Sequence, residues 1–485
     1  MKDIDAISRD RERARRMLLT LASCNSGRRK RRLARLFVNW AETTSSCCFA
    51  AEEVENAYLG FAEGIRMPTN VPCRPRSCLV VMTHAYAFGG HTRWVERWIE
   101  CDTSRSYSLV LTEDTADSVP ESLRSLISAR SGRIVSLLSF KGLHDKGQEL
   151  RRLSLDFESI LAAPHMDDPI PIVAYGAKAF PRPVAFMNHG NHIFWLGISI
   201  ADAILETGYW QKDFSERIRG SNVSQVVYLP HSLSNRTSQV DKATARRRLG
   251  LPEKAKIVLS AGSIYKFRPC EGRDIRNVIR GVLADDEVEF CLVANQSPDF
   301  RKWLDPDGRY DRRLHLSENV PHDEFLLWCR AADVLVDSLP FTGGGVMGDA
   351  CECGCPCVTL AKTVINPFMP LVRCDTVGEI VARTRILLND RTLAKAVVDA
   401  CHAFRAQMLD PAARASDVNR FMDGLASQPH AIHPFKPKFS TIDDNDVQIL
   451  ATRFNRGKNR RLFRRFVRTA PLAFVWAAVR GMLSR

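Results

Sequence analysis

The stretch from Asp337 to Leu360, DSLPFTGGGVMGDACECGCPCVTL, limits the fold more tightly than any other part of the chain. It follows the apolar run Val334-Leu335-Val336, which has strand composition, and it carries consecutive glycines at Gly343, Gly344 and Gly345. Val346 to Cys353 suits a helix, Gly354 and Pro356 interrupt it, and Cys357 to Leu360 reads as a second buried strand. Strand, glycine loop, helix and strand make one unit of a parallel sheet. A glycine loop that opens a helix presents unpaired backbone N–H groups and the positive end of the helix dipole, which suits a phosphate. The pattern therefore reads as half of a nucleoside-diphosphate site.

The rest of the chain supplies sheets for that unit to join. Strand candidates in the first half are Cys78 to Thr83, Ser108 to Thr112, Arg133 to Leu138, Ile170 to Tyr175, Val184 to Asn188 and Gln225 to Leu229. Between them lie helical or looser stretches such as Thr92 to Glu100, Leu150 to Leu161 and Ile198 to Leu205. A polar, turn-rich segment from Pro230 to Val240 reads as a linker, and a second series follows it. That series has strands Lys256 to Ala261, Val288 to Ala294, Arg313 to Ser317, Val334 to Asp337 and Cys357 to Leu360. Its helices are Lys242 to Leu249, Arg273 to Leu283, Asp323 to Ala332 and a run within Asp375 to Ala406. Short apolar strands alternating with helices indicate an α/β architecture. The expected organisation is a helical N-terminal extension (1–70), a first Rossmann-like domain (71–230), a second (231–435) and a basic amphipathic tail (436–485). Two doubly wound domains imply an interdomain cleft, with ligands at the carboxyl ends of the strands.

Composition bounds the function classes. With 485 residues, 45% hydrophobic and 26% charged, the chain has ordinary globular composition and room for two or three domains. No apolar run approaches the roughly 20 residues of a membrane-spanning helix. The N-terminal MKDIDAISRDRERARR lacks the apolar segment of a secretory signal. The 15 cysteines then read as free thiols in a reducing cytoplasm. Net charge is +14, and from Val447 onward ten Arg or Lys residues stand without a single acid. A second basic cluster spans Arg28 to Arg35. The charge thus marks appendages more than the body. Basic residues interleaved with Phe463, Phe466, Phe474 and Trp476 suit an anionic membrane face, so a cytoplasmic protein peripheral to the inner face of a membrane is expected. A disordered tail, or a helix returning to the first domain, fits the same residues. No nucleic-acid recognition module is visible.

Order and spacing bring a resemblance into view. IVLSAGSIYKFRP is a strand ending in Gly262 and Ser263, followed by Lys266. LHLSENVPHDEFLLWCRAADVLVDSLPF leads into the glycine loop. Together they resemble the donor domain of GT-B glycosyltransferases over about Val227 to Leu360. The spacing from Asp337 through Gly343 to Asp349 is similar to the O-linked N-acetylglucosamine transferases and the bacterial adhesin glucosyltransferases. The resemblance implies that Asp349 binds the donor ribose. It also implies that Thr342, Gly343, Gly344 and Gly345, with Gly262, Ser263 and Lys266, hold the diphosphate. Retaining GT-B families carry a pair of glutamates at the spacing of Phe341 to Asp349. Phe341 stands where the first would be, which implies inversion. The O-linked N-acetylglucosamine transferases have hydroxyl residues where Gly344, Gly345 and Val346 stand, so backbone amides carry more of the phosphate binding here.

The charge on a sugar-nucleotide diphosphate can be met by an amide loop, Lys266 and the Ser263 hydroxyl without a metal or cofactor. Asp167-Asp168, flanked by Pro164 and Pro169, reads as a solvated turn. The alternating Cys351, Cys353, Cys355 and Cys357 point in divergent directions and read as small hydrophobes, not as a cluster. An inverting transfer needs a base, and histidine titrates near the working pH. His84 ends the first strand, and His91 follows Phe88, Gly89 and Gly90, an arrangement that resembles the acceptor loop of inverting GT-B enzymes. His189 follows the strand Val184 to Asn188. Each is a catalytic candidate and each also suits a capping or structural role. The expected activity is transfer of a hexosyl or N-acetylhexosaminyl group from a UDP-linked donor to a glycan, lipid-linked or protein acceptor. A sugar-nucleotide epimerase or isomerase, or a non-catalytic scaffold, remains open from sequence.

Overall fold

The computed structural model describes residues 2–44, 46–65, 67, 72–87, 90–190, 193–229, 240–270, 272–294, 298–318, 320–361, 371–408, 410–438, 456–471 and 473–474. The chain forms two compact units, Met1–Leu229 with Ala412–Arg485, and Pro230–Pro411. The expected linker Pro230 to Val240 lies almost wholly outside the described residues.

The first unit is built on a parallel sheet of β1 (Arg74–Met82), β2 (Ser106–Leu111), β3 (Ile134–Ser136), β4 (Phe157–Ala163), β5 (Val184–Met187), β6 (Ala203–Glu206) and β7 (Ser224–Val226). Its order is β3-β2-β1-β4-β5-β6-β7. The second unit holds β8 (Lys256–Ala261), β9 (Val288–Val293), β10 (Leu314–Ser317), β11 (Val334–Val336), β12 (Cys357–Leu360) and β13 (Val372–Cys374), in the order β10-β9-β8-β11-β12-β13. Both orders reverse direction beside their first strand, the doubly wound arrangement in which the carboxyl ends of the first and fourth strands flank the ligand position.

The sequence explains why both faces of the second sheet are covered. Alternate residues divide cleanly: Val258, Phe290, Leu292, Val334, Val336 and Val358 pack on one side. Ile257, Leu259, Cys291, Val293, Leu335 and Cys357 pack on the other. A strand buried on both faces loses the alternation that marks a half-exposed one.

That loss accounts for the misread elements of the first unit. Ile170–Tyr175, expected as a strand, is a helix with every residue buried. Its Pro171 sits in the first helical turn, where a missing N–H costs nothing. Leu150 to Leu161, expected as a helical or looser stretch, divides between the helix Leu143–Ser154 and the strand β4. Ile198 to Leu205 similarly divides into a short 3₁₀ turn and β6. A short, wholly buried apolar run has no period with which to choose between the two.

The N-terminal helices Lys2–Ala22, Gly27–Ala41 and Glu52–Ala62 are part of the first unit's core. Met17, Leu21, Leu33, Phe37 and Trp40 belong to one cluster with Leu79, Val81 and Phe186. Glu55 pins this layer. Its buried carboxylate accepts from the backbone N–H groups of Gly197 (2.8 Å), Ile198 (3.1 Å) and Ser199 (2.8 Å), and from the Ser199 hydroxyl. Burial nevertheless raises its pKa. Sequence carried the second domain to residue 435, whereas the chain rejoins the first unit at Ala412. There the helix Pro411–Ala426 sets Phe421 edge-on to Trp98 at 5.6 Å and pairs Asp423 with Arg105.

Among the described residues, no helix is long and apolar enough to cross a membrane.

Candidate functional site

The second unit carries the glycine loop. After β11 the chain passes Asp337 and Ser338, and the helix Gly344–Glu352 begins with Gly343 as its cap. Asp337 builds the loop. It is fully enclosed, and its carboxylate accepts from the Gly343 N–H at 2.9 Å, from the Thr359 hydroxyl of β12 at 2.8 Å, and from the Thr342 hydroxyl. Burial pushes its pKa up, and these hydrogen bonds pull it back. Thr342, one of the expected donor residues, therefore directs its hydroxyl inward, and the Gly343 amide is already engaged.

The amides that remain for a ligand start at Gly344. Met347 N donates to Gly343 O at 3.3 Å, so Gly344 and Val346 stand ahead of the helical ladder. A Cβ placed on Gly344 or Gly345 would meet nothing within 4 Å, so the space over this helix start is open. Lys266 reaches the same place: its Nζ donates to Thr342 O at 3.3 Å. A Cβ on Gly343 would come to 3.5 Å from that Nζ. Gly262, at the carboxyl end of β8, has φ 155° and would bring a Cβ to 3.2 Å from Lys266 Cδ. Both the dihedral and the close approach call for glycine. Ser263 is exposed and caps the short turn Ile264–Phe267 that carries Lys266.

Asp349 lies further along the helix, 8% exposed, with its Oδ2 at 3.2 Å from His322 Nε2. His322 opens the helix His322–Ala331 and went unnoticed in the sequence. Its signal was its place just after Val320-Pro321, near a strand end. Phe341 is fully buried against Tyr265, 5.7 Å between ring centroids, so no acid faces the loop from that position. Cys351, Cys355 and Cys357 are buried in the apolar cluster behind the helix. Among the described residues no group of three His, Cys, Asp or Glu side chains is placed to hold a metal.

The first unit gathers His84, His91, His165 and His189 at the carboxyl ends of β1, β4 and β5. His91 and His189 stack with ring centroids 3.9 Å apart and planes at 19°. His165, which sequence did not single out, stands 5.9 Å from His91 and 5.1 Å from His84. Tyr86 stacks on His84 at 5.6 Å, and His84 Nδ1 lies 3.5 Å from Asp114 Oδ2. His165 follows β4, the strand that sequence had merged into a helix, which is why it was overlooked.

His91 has a defined tautomer. Its Nε2 is 2.7 Å from the Ala163 carbonyl, which can only accept, so the proton sits on Nε2. Nδ1 is buried with no hydrogen-bond partner. Burial lowers the pKa to about 4; the Ala163 contact opposes this and His165 adds to it. His165 is also lowered, by burial and then by His84. The ring at 91 is thus neutral at neutral pH and holds a lone pair on Nδ1.

Asp168 holds this cluster in place and corrects the solvated-turn expectation. It is only 6% exposed. Its carboxylate accepts from Thr83 at 2.7 Å, Thr112 at 2.5 Å and the Ile170 N–H at 2.9 Å, while Thr83 Oγ1 accepts from His165 N at 2.8 Å. The ends of β1 and β2 are thereby tied to the loop that bears His165. The His189 loop has its own support: buried Arg219 donates to the Gly190 and Ile193 carbonyls at 3.1 Å each. Gly90 begins the helix Gly90–Cys101 that bears His91, and Gly89 lies outside the described residues.

No protein-family model matches the chain, and no curated protein matches it in sequence. Solved structures do match in fold. Anabaena Alr3699/HepE in complex with UDP and glucose superposes with a TM-score of 0.55 at 14% identity, over 71% of this chain and 99% of that one. A Rickettsia africae glycosyltransferase gives 0.55 at 10% identity, over 73% and 100%. A Thermobaculum terrenum O-GlcNAc transferase mutant gives 0.52 at 13% identity, over 86% and 77%. With its two parallel doubly wound sheets, the chain has the α/β two-domain fold of these GT-B neighbours.

Proposed function

We propose that this chain is an inverting glycosyltransferase that uses a nucleoside-diphosphate sugar, UDP-linked, and transfers a hexosyl or N-acetylhexosaminyl group. The acceptor is a glycan, a lipid-linked saccharide or a protein hydroxyl. The observation that carries this reading is the arrangement around Gly343. An open helix start and the Lys266 ammonium converge where β8 and β11 end, held by a buried Asp337. Amides and a fixed cation at that point stabilise the charge that grows on a leaving diphosphate. Asp349, with His322, receives the ribose hydroxyls. The UDP ligand of the HepE structure supports the choice of nucleotide.

In the first unit His91 is assigned as the base. A neutral imidazole whose Nδ1 lone pair is not engaged by the protein can take the proton of an acceptor hydroxyl. His189 and His84 bind around it. The inverting assignment is supported by the resemblance, in which Phe341 stands where retaining families carry their first glutamate. The protein works at the cytoplasmic face of a membrane in surface-glycan assembly, in keeping with its basic termini.

The test is a thermal-shift series with UDP, GDP and dTDP and their sugars, repeated with Lys266→Ala and Asp349→Ala. UDP is expected to give the largest shift, and each variant to bind it at least tenfold more weakly. Equal binding by both variants removes this site assignment. Sugar converted with the nucleotide still attached would instead mark an epimerase.

A further inference from the structure

Two basic segments more than 400 residues apart in sequence meet in the first unit. The helix Arg456–Thr469 packs its apolar face inward: Phe466 and Ala470 are in the same core cluster as Trp40, with Leu462 and Phe463 against it. Phe463 lies 6.5 Å from the Trp40 ring and 5.6 Å from Phe474. Of the aromatic residues that sequence offered to a bilayer, Phe466 is buried in the protein's own core and Phe463 and Phe474 are partly buried against it, while Trp476 lies outside the described residues. What stays outside is the arginine face.

That face closes against the start of the helix Gly27–Ala41. Arg28, Arg29 and Arg32 from one side and Arg465 and Arg468 from the other line a cavity of about 670 Å³, with Ser26 and Thr469 at its edge. Among the described residues no acid lines it, and none of the five arginines makes an ion pair. The preceding helix treats its arginines differently: Arg13 pairs with Asp10 and Arg16 with Glu12, each at 2.9 Å. Like charges gathered round a concavity repel one another, and apolar anchoring of both helices keeps them together. Arginine's planar fork matches phosphate oxygens two at a time.

We propose that this cavity binds a phosphate-rich group, a diphosphate or clustered phosphomonoesters, at a site separate from the glycine loop. The group belongs to a lipid headgroup or to a soluble phosphorylated compound. Recognition is electrostatic and directed at the headgroup, because the helix turns Phe466 and much of its apolar face to the core. The inference stands on the geometry of the two helices and does not depend on the glycosyltransferase reading.

Inorganic pyrophosphate is titrated calorimetrically into full-length protein and into full-length Lys266→Ala, in which the glycine-loop site is weakened. Binding that persists in Lys266→Ala reports on the cavity, and the arginine variants are compared in that background. Arg32→Ala/Arg465→Ala is expected to weaken pyrophosphate binding at least tenfold. Arg461→Ala/Arg464→Ala removes the same charge from exposed positions of the same helix outside the cavity, and is expected to bind within twofold of the parent. In parallel, the proteins are sedimented with phosphatidylcholine vesicles with and without phosphatidic acid. Retention on the acidic vesicles, lost only in the cavity variant, identifies a lipid source. Pyrophosphate binding without retention identifies a soluble one, and either result supports the site. Equal losses in the two variants, an unchanged cavity variant, or binding only to a single-stranded RNA overturns the proposal. All of the altered arginines are exposed, and melting curves of the variants confirm that they fold.

Discussion

His91 shows how one side chain's surroundings fix its chemistry. The Ala163 carbonyl selects the tautomer, the stacked His189 covers one ring face, and burial holds the pKa at about 4. The direction of the pH effect follows from linkage. The folded state binds this proton less readily than the unfolded chain, whose histidine titrates near 6.5. Stability contributed by the neutral ring is therefore complete above pH 6.5 and is lost as pH falls toward 4. The gap corresponds to on the order of 3 kcal/mol at most, reduced by solvent at the ring's edge. His91→Gln should flatten this dependence, read as a smaller difference between denaturation midpoints at pH 7 and pH 4.5. In the same assignment, kcat/KM of the parent stays level from pH 8 to about 5 and falls below that. An acid limb centred near 6.5 would give the base role to another group.

Among the elements, the helix Arg456–Thr469 is the one whose part sequence left open. Its composition fits a membrane-surface helix or a returning helix equally well, since both need one apolar face. In the structure the helix returns to the first unit, where Phe466 has no exposed surface and sits in the core. Phe466→Ala should cost about 3–5 kcal/mol through lost burial and a cavity, whereas exposed Arg464→Ala should cost less than about 0.5 kcal/mol. Chemical denaturation of the first unit measures both, and equal midpoints would detach the helix from the core. The same contrast explains what was legible in the chain. In the second unit, β8 and β12 were read at their observed ends, because Gly262, Gly354 and Pro356 punctuate them. In the first unit, β4 and β6 were missed because FESILAA and AILE are buried on nearly every residue and lack punctuation. His165, which stands just after β4, was lost with it, and Asp168 was read as part of a solvated turn. Gly343 stood out through the glycine run, and Lys266 and Asp349 were singled out through the resemblance. His322 was not, because its partner Asp349 is 27 residues away.

At the scale of the whole chain, the second unit is an insertion. The first unit needs residues on both sides of it, 1–229 and 412–485, while 230–411 is continuous. The second unit's two apolar clusters, one on each face of its sheet, draw only on its own residues. The first unit's cluster joins Met17 and Trp40 to Phe435 and Phe466 across that insertion. Buried polar groups follow the same division: Asp202 bonds His430 at 2.8 Å and the Ala431 N–H at 2.9 Å, and Arg105 pairs with Asp423. A fragment of residues 230–411 should therefore fold alone and still bind UDP within about tenfold of the full chain, because Asp337, Lys266, His322 and the glycine loop all lie within it. A fragment of residues 1–229 should fail to fold, since Asp202, Arg105 and the face of Trp40 would lose partners supplied from beyond residue 412. Circular dichroism melting of the two fragments, with nucleotide titration of the first, checks both outcomes. A cooperative transition for 1–229, or none for 230–411, would mean that the core clusters do not mark the folding units.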